Sequence, residues 1–454
     1  MKGSRGKTPL LITIALILTG CDGFSAPEKL MQPPQIESGQ VDVQKAVTRN
    51  LPSGTQLALP SRPARAGAIR KVDLDEDGEK EVVAFYTDKS RILIGALLLK
   101  KRKPSGWVPV AKYEANGGTT FDYATFKDMN GDRIPEIIIG WGTPKSDGIK
   151  MMAVLSLTDG KLHELVKSEY TDLAVADLDQ DRKCELVLFV HNHERLQSRA
   201  YLYTLQNRKL KQTDSLRLYG STNGYEQILT GLAAKGKTGI FVTGIGDYTP
   251  YTELLIMDRG RLKSVFAGKN GKKPGIQTLN IVPSEDVNGD GIIEIALQKT
   301  PPKTEDLRLA EIPWITSWYQ WDGKDGLDMV YQNYLDYKSE YQFDFPQDWL
   351  HKVTVRKLHR DTERRISFYP KKTPTKREFP LLTIHDCPRK DWDKKKDQLN
   401  PHNRSVLLHV GKKRVYWATF PSAKVRKYAR RSPELNRLLV NPSQIRKQFR
   451  TVPF

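Results

Sequence analysis

Four short stretches of the 454-residue chain place oxygen-bearing side chains at loop positions 1, 3, 5 and 9. The four stretches are Asp73, Asp75, Asp77 and Glu81; Asp128, Asn130, Asp132 and Glu136; Asp177, Asp179, Asp181 and Glu185; and Asp286, Asn288, Asp290 and Glu294. Carboxylate and amide oxygens are ligands of hard cations, and alternate side chains of a tight loop can converge on one point. The spacing therefore predicts four divalent-cation sites.

Calcium is the cation that this donor set favours, because Ca²⁺ takes roughly six to eight oxygens in a flexible geometry. A backbone carbonyl at loop position 7 would add one oxygen to each site, from Glu79, Ile134, Lys183 and Ile292. A helix-loop-helix calcium motif needs an acidic ligand at position 12, where this chain has Ala84, Ile139, Leu188 and Leu297. That motif is therefore excluded, and the remaining alternative is a set of Asp-rich turns without metal.

Loop position 6 divides the four stretches into two pairs. Glycine, which tolerates the left-handed backbone of a tight turn, is present as Gly78 and Gly291. Arg133 and Arg182 replace it in the other two loops, where we expect a strained turn and a cation beside the site. The loops at Asp73 and Asp286 are accordingly predicted to be the better calcium sites.

Each loop runs into an apolar stretch that predicts a buried strand, at 82–85, 137–139, 186–189 and 295–297. The first aspartates of the loops are separated by 55, 49 and 109 residues. The last interval equals two periods, and a degenerate copy without ligands lies between them at 231–239. A period of roughly 50 residues with one turn and strand per unit is typical of four-stranded β-propeller blades.

The loop pattern and its repetition over about 260 residues resemble the FG-GAP/VCBS repeat of integrin-α-type β-propellers. The resemblance implies a mainly β protein in which residues 68–335 form a propeller of about five blades. A longer ring with unrecognised blades is the alternative. Because no nucleophile, base or oxyanion donor adjoins the loops, we expect the calcium ions to have a structural role.

Candidate catalytic groups are few. His191, His193 and Glu194 follow the third predicted strand, but no third ligand lies at a familiar zinc spacing. His385 and Cys387 offer an imidazole and a thiol, which we expect to point to opposite faces of a strand. We therefore predict no catalytic residue and a non-catalytic binding module. The alternative is a propeller-based polysaccharide-active enzyme of the lyase type, with ionisable side chains converging in one cleft.

Residues 1–20 predict a lipoprotein signal peptide. Basic residues at 2, 5 and 7 precede an apolar run at 10–18 that is too short to span a bilayer comfortably. The residues 18–20 and the following Cys21 resemble the lipobox of bacterial lipoproteins. The resemblance implies cleavage before Cys21, lipidation of its thiol and attachment to the outer face of the cytoplasmic membrane. An ordinary secretory signal is the alternative.

Residues 21–67 are predicted to hold the lipidated cysteine and a flexible spacer rich in Pro, Ser, Gln and Ala. Cys184 and Cys387 then remain, and we expect free thiols packed as small hydrophobic groups, with a disulfide as the alternative. Three cysteines exclude a disulfide scaffold, and 28% charged residues exclude a polytopic membrane protein.

The positive charge of the chain is concentrated in residues 336–454. This segment holds 29 Lys and Arg against 12 Asp and Glu, a net charge of +17 out of +20 for the chain. Alternating apolar residues predict strands near 341–345, 365–368, 381–384, 406–408 and 415–417, with helices near 432–439 and 441–449. This is a small α+β pattern, and its opening at 341–349 resembles the start of a PsbP-like α/β/α sandwich.

An exported domain of this charge attracts polyanions. We expect anionic envelope polymers or lipid headgroups as partners of residues 336–454, with a solvated basic surface as the alternative. The chain has no RRM, KH or helix-turn-helix signature, so we do not expect nucleic acid as a partner. A protein or polysaccharide ligand, which the sequence does not identify, is expected on the propeller face.

Overall fold

The structure is a computed structural model that describes residues 38–63, 67–88, 90, 92–144, 148–207, 209–266, 275–360, 363–373, 378–399 and 404–452. The predicted signal peptide and Cys21 lie outside these residues. Within the described ranges, no helix combines the length and the apolar character that crossing a membrane requires.

The chain divides into two compact units, Met1–Leu51 and Pro52–Phe454. The described part of the first unit is helix α1 (Ser38–Asn50). In the second unit, β1 (Thr55–Leu57) pairs with a later strand, Tyr86 opposite Leu57. The prediction of a flexible spacer up to residue 67 is therefore wrong from residue 38 onwards. The reason is that Val43, Ala46 and Val47 follow a helical period too short to recognise beside the Pro-rich stretch.

Five antiparallel sheets follow one another along the second unit, and we number them sheets 1 to 5. Sheet 1 contains β1, β2 (Ile69–Val72), β3 (Glu81–Asp88), β4 (Leu93–Arg102) and β5 (Gly106–Asn116), in the order β1-β3-β4-β5 with β2 also on β3. Strands β1 and β2 border consecutive stretches of β3. Strand β3 is buried on both faces, as the continuous apolar run at 82–85 predicts.

Sheets 2 and 3 are regular four-stranded meanders. Sheet 2 has the order β6 (Phe121–Lys127), β7 (Glu136–Gly142), β8 (Lys150–Thr158) and β9 (Lys161–Tyr170). Sheet 3 has the order β10 (Asp172–Ala176), β11 (Glu185–Asn192), β12 (Gln197–Gln206) and β13 (Lys209–Leu218). Four antiparallel strands in chain order are the strand order of a propeller blade.

Sheet 4 is the degenerate repeat. It contains β14 (Thr222–Ala234), β15 (Lys237–Gly246), β16 (Thr249–Asp258) and β17 (Arg261–Ser264), with β18 (Ile276–Gln277) also paired to β16. A tight turn at Lys235 and Gly236, where Gly236 has φ 67°, replaces the acidic loop. The predicted turn followed by a strand is present here without any of the predicted ligand types.

Sheet 5 crosses the boundary predicted between residues 335 and 336. Its order is β19 (Ile295–Lys299), β20 (Ile315–Trp321), β21 (Leu327–Asp336), β22 (Tyr341–Asp344) and β28 (Phe449–Thr451). Strand β22, predicted to open the C-terminal domain, pairs with β21, and the C-terminal β28 pairs with β22. The two predicted domains therefore share one sheet.

A sixth sheet carries most of the basic segment. Its order is β23 (Val353–Arg360), β24 (Glu363–Pro370), β25 (Leu382–Pro388), β27 (Arg414–Thr419) and β26 (Ser405–Val410). Short 3₁₀ helices lie at Leu309–Glu311, Gln347–Trp349, Arg389–Lys394 and Lys396–Leu399. Helices α2 (Ala423–Ala429), α3 (Pro433–Arg437) and α4 (Pro442–Gln448) follow. Helix α4 begins at a capping box in which Asn441 and Gln444 exchange hydrogen bonds of 3.0 Å.

Hydrophobic clusters link the sheets in chain order: sheet 1 to 2, 2 to 3, 3 to 4 and 4 to 5. The largest cluster joins the outer strands of sheet 5 to sheet 6 and the helices. Phe343 lies at its centre, with its ring centroid 4.9 Å from that of Phe368 and 5.9 Å from that of Trp349. The Trp349 Nε1–H donates to the Leu438 carbonyl at 2.9 Å. Sheet 5 is thus also part of the C-terminal core.

Replacing Phe343 by alanine tests this shared core. Because Phe343 is fully buried, Phe343→Ala is expected to lower the free energy of unfolding by about 3–5 kcal/mol. Hydrogen exchange measured peptide by peptide should show faster exchange in β20 and β21 as well as in β23 to β25. Leu309→Ala, at a side chain that is 62% exposed, is the control and should change little. Faster exchange in β23 to β25 alone would contradict a shared core.

Candidate metal centres

Each of the four acidic loops directly precedes a strand of sheet 1, 2, 3 or 5. In sheets 1, 2 and 3 that strand is second in the sheet order, whereas in sheet 5 it is the edge strand β19. The glutamate at position 9 is the first residue of the strand or directly precedes it. These glutamates are Glu81, Glu136, Glu185 and Glu294, and all are 4% exposed or less. A buried carboxylate at the start of a strand needs hydrogen-bond donors or a cation.

The donor for each buried glutamate is a backbone N–H of its own loop. One carboxylate oxygen accepts from the residue at position 2, namely Leu74, Met129, Leu178 or Val287, at 2.8–2.9 Å. The aspartate at position 1 accepts the N–H of position 6 in every loop, at 2.8–3.1 Å. The loops therefore hold their shape through side-chain-to-backbone bonds made by the predicted ligands.

The residues predicted to offer a carbonyl at position 7 take part through their N–H groups. Glu79, Ile134, Lys183 and Ile292 each donate to the carboxylate of the position-5 aspartate, at 2.8–2.9 Å. In the fourth loop, Asn288 also donates from its amide to Glu294 at 3.0 Å. In the second loop, Asn130 donates in the same way to Glu136 at 3.3 Å.

Position 6 has a left-handed backbone in all four loops, as the glycines predict. The φ angles are 83° at Gly78, 70° at Arg133, 72° at Arg182 and 86° at Gly291. The expectation that arginine brings a cation beside its own site is wrong for Arg133. Its side chain is 84% exposed and reaches Glu76 of the first loop at 3.5 Å. The two arginines therefore occupy a strained backbone position but accommodate the same loop geometry.

Carboxylates converge closely in three of the four loops. The groups whose oxygens lie within 4.8 Å of one another are Asp73, Asp75 and Glu81; Asp177, Asp179 and Glu185; and Asp286, Asp290 and Glu294. The loop at Asp128 does not form such a group among the described residues. In the third loop, the Asp177 Oδ1 atom is buried without a hydrogen-bond partner. The Glu81 Oε1 atom of the first loop has no hydrogen-bond partner either, and an unsatisfied buried oxygen within an acidic cluster fits a bound cation.

The pKa values of the position-9 glutamates are raised by burial and by the neighbouring carboxylates. Burial, followed by the charges of Asp132 and Asp128, raises the pKa of Glu136 to about 7. Burial and the three aspartates of its loop raise the pKa of Glu185 to about 7 as well. Burial also raises the pKa of Glu81 and that of Glu294. Each loop is thus a place where a cation would relieve both desolvation and repulsion.

Lys100 supplies such a cation in the first loop. Its ammonium contacts Asp75, lies 2.7 Å from the Asp77 carboxylate and is 3.4 Å from the Glu81 Oε1 atom. Hydrogen bonds that Lys100 donates to Asp75 and Asp77 hold the pKa of Lys100 above its ordinary value. The prediction that the loop at Asp73 is one of the better calcium sites stays a prediction, since its carboxylates converge but a side-chain ammonium lies among them.

The strand register explains how an ammonium from a neighbouring strand comes to lie among the carboxylates of the first loop. Lys100 is the cross-strand neighbour of Glu81, and the same position holds Ser156, Thr204 and Gln320 in sheets 2, 3 and 5. The Gln320 amide donates to Asp290 at 2.7 Å and to Glu294 at 2.8 Å. Hydroxyl and amide groups carry acceptor oxygens, whereas an ammonium has none. Sequence reasoning missed this position because it looked for ligands only within the loops.

A second cluster of charged groups lies where β6 and β10 begin. Arg62 bridges them, donating to Asp122 at 2.6 Å and to Asp172, while Tyr170 donates to Asp122 at 2.6 Å. Lys150 lies 2.9 Å from the other Asp122 oxygen. Burial opposes ionisation of Asp122, but the neighbouring cations hold its pKa below the ordinary value. Arg62 lies in the predicted spacer, so sequence reasoning missed this cluster.

The remaining candidate catalytic residues do not form a recognisable active site. The rings of His191 and His193 contact each other with 3.1 Å between nitrogens, and burial lowers the pKa of His191. His385 stacks on Trp417, and Cys387 packs in the same cluster, so the prediction of opposite faces is wrong because alternate strand residues share a face. Burial raises the pKa of Cys387, which disfavours a thiolate. Cys184 and Cys387 are free thiols, as predicted.

No family model and no curated protein matches the chain. Among solved structures, it is similar to an exotype rhamnogalacturonan lyase, YesX, with 13% identity, a TM-score of 0.32, and coverage of 69% of this chain and 64% of that chain. It is similar to an endo-arabinase from Bacteroides thetaiotaomicron, with 11% identity, a TM-score of 0.27, and coverage of 61% and 96%.

A third similar structure is a hypothetical selenium-binding protein from Sulfolobus tokodaii, with 11% identity, a TM-score of 0.28 and coverage of 44% of this chain. The chain spans 54% of the length of that protein. Similarities at these TM-scores carry no conclusion about activity. The assignment of blade-like sheets rests on their strand order.

Replacing Lys100 tests its place in the first loop. Lys100→Ser introduces the residue type found at the same register in sheet 2, and the variant is expected to bind one more calcium ion per chain than the original protein. Calcium titration calorimetry gives the stoichiometry. Lys101→Ser is the matched control, because the neighbouring lysine is exposed and points to the opposite face of β4. Unchanged stoichiometry in Lys100→Ser would contradict this role.

Proposed function

We propose that this protein is a non-catalytic lipoprotein of the bacterial cell envelope, in which a calcium-stabilised propeller of about five blades serves as a binding module. The observation that carries the proposal is the repetition of one acidic loop directly before a strand in four successive repeats. The FG-GAP/VCBS resemblance of these loops supports calcium rather than another hard cation. The ligand of the propeller would be a protein or a polysaccharide.

Calcium would be held by the third and fourth loops. The groups that would bind it are Asp177, Asp179 and Glu185 in the third loop, and Asp286, Asp290 and Glu294 in the fourth. The ion would neutralise carboxylates that otherwise repel one another beside a buried glutamate. Its contribution is therefore to stability, and in the third loop it would tie β10 to β11.

A polysaccharide lyase remains the second candidate because ionisable groups converge around Asp122. Catalysis would take place at this cluster, and Tyr170 would have to act as the general base. Burial, followed by the charge of Asp122, raises the pKa of Tyr170 well above its ordinary value. A phenol that stays protonated and donates to a carboxylate is a poor base, and Asp122 is itself shared by Arg62, Lys150 and Tyr170. These contacts favour a structural role for the cluster, in which it links sheets 2 and 3, over a catalytic one.

The C-terminal basic segment would bring the protein to anionic envelope polymers or lipid headgroups. Its charge of +17 is the support for this part of the proposal, and the lipid on Cys21 would hold the protein at the outer face of the cytoplasmic membrane. A lipid anchor combined with a basic surface gives firmer membrane attachment than either alone.

Removal of calcium tests the metal part of the proposal. A site at a hundred times its dissociation constant stabilises the folded chain by about 2.7 kcal/mol, so chelation is expected to lower the unfolding temperature by several degrees and calcium to restore it. Asp177→Asn combined with Asp179→Asn should reduce the calcium-dependent shift. Asp328→Asn, at an exposed position of β21, is the control. Equal unfolding temperatures in calcium and chelator would overturn the calcium assignment.

Cys21→Ser tests the anchor. The variant is expected to be released into the soluble fraction of bacterial cells that express the full chain, since it lacks the thiol that carries the lipid. Incorporation of labelled palmitate into the original protein, and not into Cys21→Ser, is the measurement. Cys184→Ser is the control and should incorporate the label normally. Labelling of Cys21→Ser at the original level would refute lipidation at this residue.

A further inference from the structure

A cavity of about 460 Å³ opens between the turn after Trp349, the end of β24 and helix α3. We call it the basic pocket, and its charged or polar lining residues are His351, Lys352, Lys371, Lys372, Glu434 and Arg437. Leu435 and Leu438 form the apolar part of its wall. Three lysines and one arginine thus face one concave space together with a single carboxylate.

The cations of the basic pocket differ from others in the same region because they have no carboxylate partner among the described residues. Elsewhere in the C-terminal region, Arg356 and Lys303 share Glu378, Arg414 binds Asp386, and Arg450 lies 3.2 Å from Asp344. None of Lys352, Lys371, Lys372 or Arg437 takes part in an ion pair of this kind. The excess positive charge is therefore local and is not a property of every basic residue in the segment.

A further lysine from sheet 5 adds to this charge. An adjoining cavity of about 250 Å³ shares His351 and Lys371 with the basic pocket and is lined by Lys299 at the end of β19. Partial burial, and then the charge of Lys299, lowers the pKa of Lys371. Residues from three separate stretches of the chain thus bring like charges together, which costs free energy unless an anion is present.

We propose that the basic pocket is a binding site for a phosphate group. Lysine ammonium groups bind phosphate oxygens as point charges, and the Arg437 guanidinium can add paired N–H donors. The apolar wall at Leu435 and Leu438 suits the organic part of a phosphate ester. This inference names one site and one chemistry for the anionic partners of the proposed function, and it rests on that part of the proposal.

The same phosphate chemistry occurs in soluble phosphate compounds and in lipid headgroups, and two binding experiments distinguish these sources. In the first experiment, the full chain in mild detergent is titrated with inorganic phosphate by calorimetry. The same protein is mixed with phosphatidylcholine vesicles with and without phosphatidylglycerol, and sedimentation measures binding. Binding of free phosphate together with vesicles that contain phosphatidylglycerol assigns the site to a headgroup. Binding of free phosphate alone assigns it to a soluble phosphate compound.

Lys371→Gln combined with Lys372→Gln is the test variant, and we expect it to weaken phosphate binding about tenfold or more. Lys412→Gln combined with Lys413→Gln removes the same charge from the exposed turn between β26 and β27 and should change the affinity by less than about threefold. Arg437→Gln provides an independent second variant, and near-ultraviolet circular dichroism checks that each protein is folded.

Two results would overturn the proposal: no phosphate binding by the original protein, or equal weakening in the test and control variants. The second result would mean that only the overall surface charge matters. The calcium experiment remains separate, because none of these variants alters an acidic loop. A protein that binds phosphate in the basic pocket without any calcium-dependent stability would refute the calcium assignment and retain this inference.

Discussion

The hydrogen bond from a loop backbone to a buried glutamate is the interaction on which the repeated part of this protein depends. In four sheets the carboxylate at loop position 9 accepts the N–H of position 2 at 2.8–2.9 Å, which closes the turn in front of the following strand. Because the same glutamate begins or directly precedes that strand, one interaction sets both the turn and the start of the strand. Its cost is a carboxylate with almost no access to water.

That cost explains the variety of groups placed opposite the glutamates. Sheet 1 uses the Lys100 ammonium, and sheet 5 uses the Gln320 amide. Sheets 2 and 3 place only hydroxyls at this register, and there burial raises the pKa of Glu136 and Glu185 to about 7. Sheet 4 removes the whole acidic set and turns at Gly236. One loop design thus meets the same electrostatic problem with different neighbouring groups.

In the C-terminal part of the chain, the charges to be neutralised are positive. Around sheet 6, several arginines are neutralised by buried or half-buried carboxylates, as with Arg414 and Asp386. The basic pocket departs from this rule, and it lies where sheet 5, sheet 6 and α3 meet. The shared core around Phe343 holds these elements together, so the position of the pocket depends on the same packing that joins the two predicted domains.

The local features of this protein could be read from its sequence. The positions of the acidic loops, the buried strands that follow them, the left-handed turns at Gly78 and Gly291, and helices α3 and α4 depend on neighbouring residues, which is why spacing and residue type predict them. The free state of Cys184 and Cys387 was predicted in the same way, from their number and separation.

Contacts between distant parts of the chain were decided only by the tertiary structure. Lys100 meets Glu81 through strand register, Arg62 meets Asp122 and Asp172 through the packing of two sheets, and β28 meets β22 across more than a hundred residues. Lys371 and Arg437 reach one pocket for the same reason. No local period encodes these pairings, since register and sheet packing arise from the whole set of buried contacts.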